Sequence, residues 1–166
     1  MKKLFVFILA GAIVLAGYPA IAADRCTSYQ TSAINSQKAV VATFQQKVAN
    51  DTDKSKVATA NLQKANAIAT GLNAKVMASD KKISELLAKA AKNAKSNPSI
   101  ARGYQSQADS EAKNLKSLQS SYIRAANDVA SATKSVETAS GWLKTSTYNL
   151  GLQLKKLNDL TSKCTR

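Results

Sequence analysis

The feature that most constrains the fold is an apolar repeat that advances in alternating steps of three and four residues. Its first run starts at Ile34 and keeps its phase as far as Ala90, and its second run extends from Tyr104 to Cys164. The first run is Ile34, Gln37, Val41, Phe44, Val48, Asp51, Ser55, Ala58, Leu62, Ala65, Ala69, Leu72, Val76, Ser79, Ile83, Leu86 and Ala90. The second run is Tyr104, Ala108, Glu111, Leu115, Leu118, Tyr122, Ala125, Val129, Ala132, Val136, Ala139, Leu143, Ser146, Leu150, Gln153, Leu157, Leu160 and Cys164. Heptads sustained over this length indicate a coiled coil and not ordinary surface helices.

The two runs mirror each other on either side of a break at Asn97-Pro98, and Pro98 is the single proline between the two cysteines. A chain that turns at this proline pairs residues whose numbers add to a constant, as Leu62 and Val129 do at 191. Cys26 and Cys164 add to 190 and therefore fall in the same register. The register predicts a disulfide across the open end of an antiparallel hairpin, and a disulfide in turn indicates an oxidising compartment.

The predicted fold class is all-α, a long antiparallel two-helix coiled-coil hairpin closed by a terminal disulfide. We expect one helical domain over 24–166, with arm one at about 28–95, a turn at 96–99 and arm two at about 100–164. Each arm is then on the order of 95 Å long, because an α-helix rises 1.5 Å per residue.

An up-down four-helix bundle is the alternative fold, because the repeat has weak places at which the arms are able to kink or divide. Asp51 interrupts the apolar positions of the first run close to the level of Gly141, and Gly151 is a second candidate break. Ser79 is predicted to face Glu111, another polar place in the repeat. The hairpin is preferred because the repeat passes these points without a shift of phase.

The first 22 residues have the pattern of a bacterial signal peptide. Lys2 and Lys3 precede an apolar run over 4–16, and the A-x-A site over 20–22 follows. The run is short for a bilayer span, so we expect cleavage and export to the periplasm or beyond, with an uncleaved N-terminal anchor as the other interpretation.

The chain is strongly basic, with 24 lysines and arginines against 10 acidic residues and a formal net charge of +14. This balance favours acidic partners or a membrane surface, and it also keeps an alanine-rich rod in solution. A nucleic-acid partner is not expected, because the few tyrosines do not interleave with the basic residues as a stacking platform would. Tyr104 and Tyr122 fall on the repeat instead.

Two surfaces are candidates for binding a partner. A basic tip surrounds the predicted turn, and its residues are Lys89, Lys92, Lys95 and Arg102. A set of apolar residues falls outside the repeat, and the candidate partner surface among them is Trp142, Tyr148, Leu152, Ile68 and Ile123. Ile68 and Ile123 add to 191, so they are predicted to lie level and on one side of the hairpin. The alternatives are a solvated helix end for the tip and widening of the seam for the apolar set.

Nothing in the sequence indicates catalysis, a cofactor or a metal. The chain contains no histidine, which is the commonest general base and metal ligand. No G-x-S-x-G, P-loop or H-E-x-x-H motif occurs, and the carboxylates are scattered.

We therefore expect an exported, non-enzymatic structural or interaction protein that presents helical faces to a protein partner or to itself. A periplasmic holdase chaperone, or an accessory of a secretion or pilus apparatus, is the second interpretation. A membrane-active or lipopolysaccharide-binding protein that acts after the hairpin opens is the third.

Overall fold

In the computed structural model, the described residues 26–164 form two long helices packed against each other in opposite directions. Helix α1 is Ser28–Asn93 and helix α2 is Pro98–Ser162, and no strand occurs in this part of the chain. The predicted two-helix hairpin is confirmed, and the four-helix bundle does not form. The predicted signal peptide over 1–22 lies outside the described residues.

Local sequence signals start both helices and place the turn between them. Thr27 caps α1 in a capping box with Gln30. Asn97 caps α2 by accepting a hydrogen bond from the backbone N–H of Ile100 at 3.3 Å. Pro98 occupies the first turn of α2, where its missing N–H leaves no partner unsatisfied. The connection between the helices therefore falls at 94–97, two residues before the predicted turn at 96–99.

The repeat forms the seam between the helices. Every buried residue of α1 and α2 belongs to one of the two runs, and every other member of the runs is half-buried. The seam is one layer of side chains thick, because two helices leave their outer faces in solvent. The period of the sequence thus determined which residues are buried.

Three contacts between residues whose numbers add to 190 fix the register of the two helices. They are the Cys26–Cys164 disulfide, the Gln37–Gln153 hydrogen bonds and the Ser79–Glu111 hydrogen bond. The predicted disulfide is confirmed, with 4.9 Å between the two Cα atoms. The predicted approach of Ser79 to Glu111 is also confirmed, because the serine hydroxyl donates to the carboxylate at 2.6 Å. These contacts lie at the open end, in the stapled half and in the turn half, so the register holds along the hairpin.

Both helices are continuous through the weak places of the repeat. Asp51 lies inside α1, and Gly141 and Gly151 lie inside α2. A glycine within a helix costs about 1 kcal/mol relative to alanine. The apolar seam on either side of each glycine outweighs this cost and keeps the helix intact.

The best-buried part of the seam is the half next to the disulfide. A cluster of buried side chains there contains Ile34, Val41, Val48, Leu150, Leu157 and Cys164. Large seam residues of the middle, such as Leu62, Leu72 and Leu118, are only half-buried. The hairpin is therefore packed most firmly at its stapled end.

Candidate interaction surfaces

One flank of the seam carries a row of lysines. Five lysines of α1 share one heptad position directly before a seam residue, at intervals of seven or twenty-one residues. They are Lys47, Lys54, Lys75, Lys82 and Lys89, called here the lysine row, whereas Lys64 precedes a seam residue at another heptad position. All five lysines of the row are exposed. Lys54 lies over the ring of Trp142, Lys82 reaches Glu111 and Lys89 lies over the ring of Tyr104, so the row borders α2 along the seam. This flank is called the lysine side.

The lysine side contains an open groove in the stapled half of the hairpin. The groove has a volume of about 890 Å³, and Val57, Ala58, Ala139 and Trp142 provide its apolar surface. Val57 is 60% exposed and Trp142 is 54% exposed. The Lys54 ammonium lies 5.4 Å from the centroid of the Trp142 ring, a distance typical of a cation–π contact. Positive charge and exposed apolar area therefore meet on this side.

The opposite flank, called the neutral side, has a different composition. Along the stretch that matches the lysine row, the flanking heptad position one residue after Phe44, and every seventh residue beyond it, holds Gln45, Thr52, Thr59, Asn66, Asn73, Asp80 and Leu87. None of these seven residues is a lysine, whereas Lys56 follows a seam residue further out on this side. A shallow groove lies on this side beside the turn, lined mainly by Leu87, Ala90, Ala91, Ala94 and Ala101. Its small side chains allow another backbone to approach closely.

Glu111 is the centre of a polar network in the seam. Lys82 Nζ donates to Glu111 Oε2 at 2.8 Å, and the Ser79 hydroxyl and the Asn114 amide donate to Oε1. These donors favour the ionised carboxylate. The bonds from Lys82, Ser79 and Asn114 together lower the pKa of Glu111 from 4.5 to about 2. The network joins the two helices and fixes their register.

Asp51 is the least satisfied polar group of the seam. It is 4% exposed, and its Oδ1 atom lies 3.5 Å from Lys54 Nζ. Its Oδ2 atom is buried without a hydrogen-bond partner. A buried carboxylate with one long ion pair is a net cost to folding, because desolvation of the charge exceeds what a single partner returns.

The predicted partner surface is exposed, but its members do not form one patch. Trp142, Tyr148 and Leu152 are 54%, 67% and 42% exposed on α2 in the stapled half, and Trp142 borders the groove of the lysine side. Ile68 and Ile123 are 60% and 59% exposed. Ile68 immediately precedes a seam residue, as the lysine row does, whereas Ile123 follows one, so the two isoleucines lie level but on opposite sides. Their predicted placement on one side does not fit this geometry.

One apolar residue outside the repeat widens the seam. Leu154 is half-buried and packs against the cluster at the stapled end. It follows Gln153 directly, and this position flanks the seam on the neutral side. Bundles use such flanking positions in the same way.

The predicted basic tip is divided between the two sides. Lys92 stands in the last turn of α1, where a cation suits the helix dipole, and Lys95 lies in the connection. Lys89 belongs to the lysine row, and Arg102 borders the alanine groove of the neutral side. The lysine row was therefore not among the predicted surfaces. It becomes visible in the sequence when one flanking heptad position is followed along α1.

The described residues offer no metal site and no membrane span. Among residues 26–164, no three His, Cys, Asp or Glu side chains are close enough to hold an ion together. In the same range, neither α1 nor α2 combines the length and the hydrophobicity that a transmembrane helix needs.

Comparison with known proteins does not add a relative. No protein-family model, no curated protein and no solved structure matches this chain.

Proposed function

We propose that this chain is an exported, non-enzymatic structural or interaction protein that presents a helical face to a protein partner or to a second copy of itself. The disulfide supports an oxidising location outside the cytoplasm, in agreement with the leader predicted over 1–22. The seam is occupied along its length by packing side chains and two short polar contacts. The outer helix faces are therefore the surface that remains for function.

The observation that carries the proposal is exposed apolar area on the neutral side. Ile123, Met77 and Leu87 are 59%, 66% and 41% exposed there, and each comes one position after a seam residue. Leu87 borders the alanine-lined groove beside the turn. Small residues in a groove between two helices suit a third helix, which buries its apolar stripe by helix-in-groove docking.

The test uses Ile68 and Ile123 as a matched pair, because they lie level, are equally exposed and belong to opposite sides. A photo-crosslinking amino acid replaces one or the other, and native cells are irradiated before the adducts are identified by mass spectrometry. We expect a protein adduct from position 123 and none from position 68. A second copy of the chain is distinguished from another protein by the mass of the adduct.

Equal labelling from both positions, or no protein adduct from position 123, would contradict a partner on the neutral side. Circular dichroism of each variant before irradiation checks that the hairpin is intact.

A further inference from the structure

We infer that the lysine side binds the anionic surface of a phospholipid bilayer while the hairpin stays closed. The first support is the contrast between the two flanks of α1. Five of seven consecutive heptad positions on the lysine side are lysines, whereas the matched positions of the neutral side hold none. All seven positions of the lysine side are exposed, and the four neutral positions from Asn66 to Leu87 are exposed as well but hold no lysine, so exposure alone does not explain the contrast.

The second support is the charge that remains free. Lys54 and Lys82 pair with the seam carboxylates of Asp51 and Glu111. Within residues 26–164, no ion pair is found for Lys47, Lys75 or Lys89. In the stretch of α2 that borders the row, Asp128 is the one acidic residue directly before a seam position. Three of the five lysines in the row thus carry charge outside any ion pair among the described residues.

The third support is the length of the row. Lys47 and Lys89 are 42 residues apart in one continuous helix. They are therefore about 63 Å apart along the axis of α1. The heptad repeat winds the two helices around each other, so the row follows a shallow helical path along the hairpin. A row of this length gives the protein several points of contact with an extended anionic surface such as a bilayer.

Exposed apolar side chains on the lysine side favour a bilayer over a soluble polyanion. Ile68 occupies a position of the row itself, between Lys54 and Lys75, and is 60% exposed. Val57 and Trp142 are exposed beside Lys54 in the groove. Lysines at the headgroups, with tryptophan and aliphatic side chains inserted below them, form the usual pattern of an interfacial helix. A nucleic acid or polysaccharide offers no hydrocarbon layer for these residues.

The test measures binding of the purified, oxidised protein to vesicles by co-sedimentation. The vesicles are phosphatidylcholine alone or phosphatidylcholine mixed with phosphatidylglycerol, at low and at high salt. The row variant is Lys47→Gln, Lys75→Gln and Lys89→Gln, which leaves both seam ion pairs in place. The control variant is Lys38→Gln, Lys116→Gln and Lys144→Gln, which removes the same net charge from exposed positions off the lysine side.

We expect binding to the anionic vesicles only, weakened by salt. Each lysine near an anionic surface contributes about fivefold in affinity, so the row variant should bind about a hundredfold more weakly. The control variant should bind almost as tightly as the unaltered protein. Equal losses in the two variants would show attraction by net charge without a defined face, and they would overturn the proposal.

Trp142 supplies an independent readout, because it is the single tryptophan of the chain and lies on the lysine side. Its emission should shift to shorter wavelength when the protein binds anionic vesicles. Binding without such a shift would place another face on the bilayer and overturn the proposal. So would an absence of vesicle binding together with row-dependent binding of inorganic polyphosphate, which would identify a soluble polyanion as the ligand.

Discussion

Replacing Cys26 and Cys164 with serine removes the covalent link between the open ends of the two helices. The bridge joins residues 138 positions apart in sequence. Its effect falls mainly on the unfolded chain, which loses the freedom of a long loop when the bridge is closed. In the chain-entropy model a loop of this length is worth about 5 kcal/mol of unfolding free energy. At about 2.1 cal/mol/K of unfolding entropy per residue, the melting temperature should fall by about 15–20 °C.

The register offers a way to vary the loop length. In the serine background, Gln37→Cys with Gln153→Cys closes a loop of 116 residues. Ser79→Cys with Glu111→Cys closes one of 32 residues. Relative to the native bridge, the chain-entropy model predicts a stabilisation smaller by about 0.2 kcal/mol for the first bridge and by about 1.3 kcal/mol for the second.

The assay is urea denaturation followed by circular dichroism, performed on each protein with its bridge oxidised and then reduced. The difference between the two states of one protein isolates the bridge, because the effects of the substitutions themselves cancel. Equal stabilisation by all three bridges would refute loop closure as the source of the stabilisation. A native bridge worth less than about 1 kcal/mol would do so as well.

Three further predictions concern single residues, each measured by urea denaturation. Gly141→Ala should stabilise the protein by about 1 kcal/mol, because a Cβ atom there meets nothing within 4 Å; destabilisation would indicate a hinge. Asp51→Leu should stabilise the protein by about 1–3 kcal/mol, because the substitution removes a buried carboxylate with an unpaired oxygen; a loss of stability would show that this oxygen has a hydrogen-bond partner. Glu111→Gln should destabilise it above pH 4.5, and its difference from the unaltered protein should shrink as the pH falls from 4.5 towards 2. The reason is that a carboxylate with a lowered pKa stabilises the fold only while it is ionised. A difference in unfolding free energy between the two proteins that does not change with pH would contradict this account.

The fold and register were predictable from the sequence because one periodic signal specifies both. Heptad positions identify the buried residues, and the mirrored numbering of the cysteines identifies the pairing. The continuity of α1 through Asp51 was harder to predict, since a carboxylate on the seam resembles a helix start in isolation. The unbroken phase of the repeat on both sides of it predicted that the helix continues, and α1 does continue there.

The surfaces were less predictable, because the side on which a residue lies depends on a difference of one position. Ile68 precedes a seam residue and Ile123 follows one, so equal height on the hairpin does not bring them together. The lysine row was present in the sequence, but it becomes meaningful only when the two flanks of the seam are compared. The partners of Glu111 depend on side-chain geometry that a heptad pattern does not contain.

The placement of the best-packed cluster at the stapled end also has a consequence for folding order. Ile34 and Leu157 meet only after the whole chain has doubled back, whereas residues beside the turn meet after a short loop closes. Short loops close first, so pairing should start near Pro98 and advance towards the ends as a zipper does. The two thiols then come within reach of each other last, and oxidation seals only those molecules whose helices have aligned correctly.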